Sequence, residues 1–283
     1  RIMMIVKTLA ENTAVSGEFQ AEHGLSLYIE TRKHKILFDM GASPLFVENA
    51  KKLNVDLTEV DLAIISHGHY DHGGGLKAFL NINTKAKIYV HRQAFAKHYA
   101  FENGKKKDIG LEDTILPNNR FIFVGDQMNI DEQLCLFSNV TDSGQGLSAN
   151  KQLFKAVGTD FIADDFAHEQ NLLIKEDNKL LLVAGCAHKG IVNIVDHVNM
   201  NLTKHINGEQ ASLTHVIGGF HLYSISTRLA EDPLLVNRIG LRLQETKAQY
   251  YTCHCTGIES YNVLRRVMGN QIQYLATGSQ ITI

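Results

Sequence analysis

The sequence predicts an α+β protein in which sheet packs on sheet with helices outside. Three observations carry this. The first third reads almost wholly as short β-rich runs, the last third alternates strand and helix, and the two halves follow a similar plan. Of the 283 residues, 44% are apolar. That is enough to bury a large core, and with no repeat, low-complexity tract or linker the chain reads as a single domain over 1–283.

The elements follow in order. Met3 to Leu9 is an apolar run. "LSLYIETR" (Leu25–Arg32) and "HKILFDMG" (His34–Gly41) flank a tight turn and read as a hairpin. Ser43 and Pro44 mark a helix start, cap then first position, continued by "LFVENAKKLN". "DLAIIS" (Asp61–Ser66) is apolar throughout its centre, the pattern of a buried strand. A glycine-rich turn leads to a helix near Leu76–Leu80. "AKIYVH" is a strand, Arg92–Ala100 a helix, and Glu102–Asn119 a polar excursion that reads as a surface loop, with a substrate lid as the alternative. "RFIFVG" and "QLCLFSNV" read as antiparallel strands, whereas Asp142–Phe161 has no strong period. "NLLIKEDNKLLLVAGCAH" is a hairpin turning at Glu176-Asp177-Asn178, and a helix follows to about Asn199. "THVIGGFHL" and "QYYTCHCTG" are strands running into loops. Ile225–Thr246 has helical composition, with Pro233 early in the helix or breaking it. Ser260–Met268 is helical, and "IQYLAT" is a closing strand.

Bulk properties exclude several classes. The formal net charge is −2, and the Lys105–Lys107 run reads as a solvated loop. Neither indicates a nucleic-acid or membrane-surface partner. The four cysteines, Cys135, Cys186, Cys253 and Cys255, are too scattered for a disulfide framework. No apolar run is long enough to span a membrane, and the start shows no signal-peptide pattern, so a cytoplasmic location is expected. A homo-oligomer is left open.

The 14 histidines are in excess, and their positions matter more than their number. Buried-looking strands repeatedly end in glycine-containing loops that carry histidine. "AIISHGHYDHGGGL" holds His67, His69, Asp71 and His72. "LLLVAGCAH" holds Cys186 and His188, "THVIGGFH" holds His221, and "YYTCHCTG" holds His254 between Cys253 and Cys255. Loops at strand ends collect on one rim of a sheet, where binding and catalysis are usually placed. In an extended segment, residues two apart face the same way, so His67 and His69 can grip one ion together. Asp71 and His72, just before the glycines, can face a second. Imidazole and carboxylate donors suit zinc first, one or two ions per chain, with iron or manganese as alternatives. His23, His34, His91, His98, His197, His205 and His215 lie in strands, helices or turns and read as structural or surface residues.

The motif His67-Gly68-His69-Tyr70-Asp71-His72 resembles the signature of the metallo-β-lactamase superfamily. The resemblance implies a four-layer αβ/βα sandwich with a one- or two-metal site at an edge of the sheets. It also makes Asp39, in "ILFDMG", a buttress of the metal loop or a further ligand. The ordered set "SGEFQAEHGLSLYIET", "ISHGHYDHGGGL", "GCAHKGIVNI", "GGFHL" and "HCTG" is similar to the 7,8-dihydropterin-6-methyl-4-(β-D-ribofuranosyl)-aminobenzene-5′-phosphate synthase-like subgroup. The chain departs from the superfamily pattern at mid-length. Where a Gly-Asp step would supply a bridging carboxylate, it has Gly185-Cys186, with Asp164, Asp165, His168 and Glu169 upstream. His188 is preferred as the replacement ligand, with Cys186, Asp164 or Asp165 as alternatives.

These features lead to a metal-dependent hydrolase of a phosphoester or other ester-type small molecule. His67, His69 and His188 hold one metal, and Asp71, His72 and His254 hold or border a second. Asp71 orients the attacking water or carries its proton, and His221 donates to the substrate or leaving group. One alternative is a synthase joining a pterin diphosphate to an aminobenzene ribofuranosyl phosphate. A non-enzymatic metal-dependent sensor is another.

Overall fold

A computed structural model of the chain describes residues 3–143, 146–203 and 211–283. It divides into two compact units. The first comprises Arg1–His98, Asp108–Gly125 and Leu275–Ile283, and the second Tyr99–Lys107 and Asp126–Tyr274.

The first unit is built on strands β1 (Ile5–Ala10), β2 (Ser26–Glu30), β3 (Lys35–Phe38), β4 (Leu62–Ile64), β5 (Lys87–His91), β8 (Phe121–Val124) and β20 (Gln280–Thr282). They lie in the order β20-β1-β2-β3-β4-β5-β8. β1 to β3 form an antiparallel meander, and β3, β4, β5 and β8 are parallel. The parallel part needs crossovers, and helices α1 (Leu45–Lys52) and α3 (Leu76–Ile82) supply two of them. Strand β4, "LAI", is buried at every position, as a central parallel strand should be. Phe46, Ala50, Leu76 and Phe79 from the helices close the core over Leu37, Ala63 and Ile88.

The second unit carries a sheet ordered β19-β18-β15-β14-β13-β10-β9. Its strands are β9 (Gln127–Asn129), β10 (Leu134–Phe137), β13 (Asn171–Glu176), β14 (Lys179–Ala184), β15 (His215–Gly218), β18 (Gln249–Thr252) and β19 (Ile272–Tyr274). β13 and β14 are the expected hairpin, turning through Asp177 in the left-handed region. From β14 onward the strands run parallel, with helices α4 (Ile191–His197), α5 (Pro233–Glu245) and α6 (Ile258–Met268) between them. Leu182, Val216 and Tyr250 on the sheet pack with Ile194, Val236 and Leu264 of the helices. A smaller sheet, β12-β11-β6-β7, is formed by β6 (His98–Glu102), β7 (Lys105–Asp108), β11 (Leu153–Val157) and β12 (Asp160–Ala163).

Several expectations are corrected. Arg92–Ala100 is not a helix: the chain turns after His91 and enters β6 at His98. The Glu102–Asn119 stretch contains β7, which β6 reaches through Asn103 and Gly104, both in the left-handed conformation of a tight turn. "RFIFVG" and "QLCLFSNV" do not pair. β8 lies parallel to β5, whereas β10 joins β9 and β13 in the other large sheet. The unpatterned Asp142–Phe161 contributes β11. Residues 225–232 are not helical. They include β17 (Leu229–Ala230), and the helix starts at Pro233, where Asp232 caps it by accepting the Leu234 N–H. The first helix starts at Leu45 rather than at Pro44, although Ser43 Oγ does accept the Leu45 N–H. "IQYLAT" is not the last strand, since β20 follows and pairs with β1. His205 lies outside the described residues.

Candidate metal centre

Parallel strands put their carboxyl ends on the same edge, and open α/β sheets bind ligands there. In the first unit β3 and β4 are paired Phe38 to Ile64, so Asp39 and the His67–His72 loop emerge side by side. In the second unit Ala184, Gly218 and Thr252 are in register across β14, β15 and β18. The loops holding Cys186, His188, His221 and His254 therefore begin at one level. The backbone is strained at these exits. Asp39, Ala187, His221 and His254 all have positive φ, between 50° and 61°. Each such residue costs on the order of 1–2 kcal/mol, and strain of this kind gathers at functional sites.

The first unit brings its expected donors together. His67, His69, Asp71 and His72 are all buried. The His67 ring centroid lies 4.6 Å from that of His69 and 4.2 Å from that of His72. His67 Nδ1 sits 2.8 Å from Ser66 Oγ, which directs Nε2 the other way. Asp71 and His72 lie on a short helical turn, α2 (Tyr70–Gly73), rather than on extended chain.

Asp39 is the buttress of this loop. It is fully buried and takes the Ser66 N–H at 2.7 Å on Oδ1, with Ser66 Oγ at 2.7 Å and His72 Nδ1 at 2.6 Å on Oδ2. Both carboxylate oxygens are thus occupied by hydrogen bonds to Ser66 and His72. The bond engages Nδ1 of His72 and turns Nε2 away from Asp39, to 3.5 Å from Asp71 Oδ2. Burial opposes charge on the His72 ring, but Asp71 and Asp39 overcome it and hold its pKa well above the ordinary histidine value.

Two histidines read as structural prove to support this loop. His23 Nε2 lies 3.2 Å from Asp71 Oδ2, and its Nδ1 is 3.0 Å from Asn12 Nδ2. His98 Nδ1 lies 2.8 Å from the Gly68 carbonyl. Gly68 is required sterically, because a Cβ there would fall 2.1 Å from the Ala94 carbonyl oxygen.

In the second unit His188 is gripped on three sides. Glu169 accepts its backbone N–H at 2.7 Å and that of Lys189 at 3.2 Å. Asn150 donates to its carbonyl at 2.8 Å and places Oδ1 2.9 Å from its Nδ1. Phe166 stacks on its ring with centroids 4.3 Å apart and planes 2° from parallel. Again Nδ1 is engaged, which directs Nε2 the other way. Burial raises the Glu169 pKa, only partly offset by the amides it binds. Sequence reasoning missed Asn150 and Phe166. Neither carries a motif, and only Glu169 lay in the stretch singled out.

The Gly185-Cys186 step places a buried thiol beside other donors. Cys186, His188 and His221 each offer a ligand atom, and these atoms lie within 4.8 Å of one another. Cys255 Sγ accepts the His221 N–H at 3.2 Å and approaches the Cys186 carbonyl at 3.6 Å. Burial would raise the Cys255 pKa, but its hydrogen bond with Cys186 and the charges of His254 and His221 bring it well below the usual thiol value. Upstream, His168 Nε2 lies 3.0 Å from Asp164 Oδ2, both groups buried. Asp165 instead turns outward to an ion pair with Lys155 at 2.9 Å.

Buried imidazoles with Nδ1 engaged, a carboxylate and a thiol suit a divalent transition metal. The donor chemistry present therefore fits a bound ion. Among the described residues, no helix is long and apolar enough to cross a membrane.

Comparison with known proteins agrees with this chemistry. Residues 20–133 match the family described as the metallo-beta-lactamase superfamily. The match lies in that stretch of the chain, and the α+β fold is that of the beta-lactamase-superfamily structure described next. The crystal structure of Tm1679, a metal-dependent hydrolase of the beta-lactamase superfamily, superposes with a TM-score of 0.79 at 26% identity, covering 99% of both chains. The 7,8-dihydropterin-6-methyl-4-(beta-D-ribofuranosyl)-aminobenzene-5′-phosphate synthase of Methanocaldococcus jannaschii is 28% identical, over 98% of this chain and 95% of its own. An uncharacterized protein of the same organism, MJ0448, is 27% identical over 99% of this chain and 100% of its own.

Proposed function

We propose that the protein is a metal-dependent hydrolase of a phosphoester or other ester-type small molecule. The observation that carries this is the buried His67, His69, Asp71 and His72 set, held by an Asp39 carboxylate wholly committed to supporting it. Similarity to a metal-dependent hydrolase over 99% of the chain supports the reading. The proposed ligands of the first unit are His67, His69, Asp71 and His72, and those of the second unit are His188 and His254, with zinc the first choice of metal. Bound there, a divalent ion would lower the pKa of a coordinated water from 15.7 to about 7.

The chain's own residues do the rest. Asp71 orients the attacking water and takes its proton. His23, 3.2 Å from Asp71 Oδ2, holds that carboxylate in place and disperses the charge change. Asp39 and Asn150 hold Nδ1 of His72 and His188 and so aim the two rings, so that little reorganisation is needed as charge develops.

The test is removal of metal by chelation, followed by assay on phosphodiester, phosphomonoester and lactone substrates. Activity should vanish and return on adding zinc. Full activity in metal-free protein overturns the proposal. A second reading, a synthase using a pterin diphosphate and an aminobenzene riboside phosphate, is favoured by the similarity to the M. jannaschii enzyme. Formation of a coupled product from those two substrates, rather than hydrolysis of either, would select it. A sensor role is disfavoured by the completeness of the donor set.

A further inference from the structure

We infer that Glu231 is a positioning residue: its carboxylate holds the Ser148–Asn150 turn and, through Asn150, orients the His188 ring. The inference rests on the metal-dependent reading above and adds to it a residue that lies outside every histidine-bearing loop.

Three observations carry it. Ser148–Asn150 is a single short helical turn, and the residue before it, the apolar Leu147, offers it no side-chain cap. The leading N–H groups of a helical turn have no acceptor inside it. Glu231 supplies one from 83 residues further along the chain: its Oε2 accepts the Ser148 N–H at 2.8 Å and the Ser148 hydroxyl at 2.7 Å. Second, Asn150 at the other end of the same turn holds His188 twice. Its Nδ2 donates to the His188 carbonyl at 2.8 Å, and its Oδ1 lies 2.9 Å from the ring Nδ1. Third, the anchor is itself fixed. Glu231 is buried at 7% exposure, its N–H donates to the Leu222 carbonyl at 2.9 Å, and the next residue, Asp232, caps α5. The same Leu222 carbonyl takes the Ser260 hydroxyl at 3.0 Å, which ties the anchor to α6 as well.

The turn needs this support because one turn of three residues has too few hydrogen bonds of its own to hold one position. Ser148 is exposed, so without Glu231 its N–H and hydroxyl pair with water and the turn is free to shift. A shift of about 1 Å at Asn150 takes its 2.9 Å contact with Nδ1 out of hydrogen-bond range. The His188 backbone is held separately, because Glu169 accepts the N–H groups of His188 and Lys189. What Glu231 governs is therefore the ring and not the course of the chain.

The test compares the full chain with Glu231→Ala, Glu231→Gln, Asn150→Ala and the Glu231→Ala, Asn150→Ala double variant. In chelator-stripped protein, long-range proton–nitrogen correlation spectra read the His188 ring nitrogens with no metal present. Glu231→Ala should move those resonances as Asn150→Ala does. Glu231→Gln, whose carbonyl oxygen can still accept both Ser148 bonds, should leave them in place. Zinc titration against a competing chelator should show about fivefold weaker binding or more in Glu231→Ala, recovery to within about twofold in Glu231→Gln, and no further loss when Glu231→Ala is added to Asn150→Ala. Should Glu231→Ala not fold, Glu231→Asp, too short to reach Ser148, replaces it with the same expectations. Unmoved His188 resonances in Glu231→Ala, losses that multiply in the double variant, or no recovery in Glu231→Gln overturn this inference and leave the metal-dependent reading standing. A wild-type chain that binds no zinc overturns that reading instead, and the metal-free spectra then decide this inference alone.

Discussion

Replacing Asp39 by asparagine isolates the buttress from the ligands. Asparagine keeps the shape and tolerates the left-handed backbone that Asp39 adopts at φ 61°. Its carbonyl can still accept the Ser66 N–H. The NH2 group then faces Ser66 Oγ and His72 Nδ1, where the wild-type chain has a carboxylate oxygen at 2.7 and 2.6 Å. To avoid opposing donors, His72 must move its proton to Nε2, the atom needed for a metal. A charge-assisted hydrogen bond contributes about 1.5–3 kcal/mol and its neutral replacement about 1. The net loss is on the order of 1–2 kcal/mol, or roughly 5–30-fold in an equilibrium constant. That agrees with the 10–100-fold typical of lost supporting bonds around metal ligands. The assay is titration of metal-free protein with zinc against a competing chelator. Asp39→Asn should bind at least about fivefold more weakly, with the fold intact by circular dichroism. Binding within about twofold of wild type would refute the claim that Asp39 holds the His72 ring for a metal.

Three further outcomes are expected. Asn150→Ala frees both the carbonyl and Nδ1 of His188 and should weaken zinc binding by about 10–100-fold, with little loss of thermal stability; unchanged affinity would mean the Asn150 grip is incidental. Gly68→Ala drives a Cβ to 2.1 Å from the Ala94 carbonyl oxygen and 2.6 Å from the His98 ring, and should destabilise the chain by about 1–3 kcal/mol in thermal unfolding. Burial, then Lys179, lowers the His215 pKa. The folded chain therefore binds fewer protons here than the unfolded chain. The neutral-state advantage is complete above a pH of about 6.5 and is lost as pH falls below it. His215→Gln should flatten the decline in Tm between about pH 7 and pH 5, and an unaltered slope contradicts this.

What was legible in the sequence was local. "DLAIIS" and "NLLIKEDNKLLL" announce strands because their apolar runs are continuous and bounded by turn residues, and β4, β13 and β14 lie there. His67 to His72 is legible for the same reason, since its spacing within one loop already restricts its chemistry. Arg92–Ala100 misleads because its helical composition yields to the pairing of the β6 region in the small sheet. β8 and β10 were wrongly paired because partner choice depends on the sheet each strand joins. The support of His188 was hidden. Asn150 reaches it across 38 residues and Glu169 across 19, as single polar residues in irregular chain. His23, 20% exposed, stands in the quoted "SGEFQAEHGLSLYIET" stretch, but its spacing from the His67–His72 loop gave no hint that it contacts Asp71.

The central claim is that the His67–His72 loop binds a metal. Anomalous scattering from crystals grown with zinc tests it most directly, because it locates the ion without reference to any substrate. The account predicts an anomalous peak within bonding distance of His67 and His69 Nε2, absent from a His67→Ala, His69→Ala double variant. Zinc located only elsewhere, or none beside these two histidines, would contradict it.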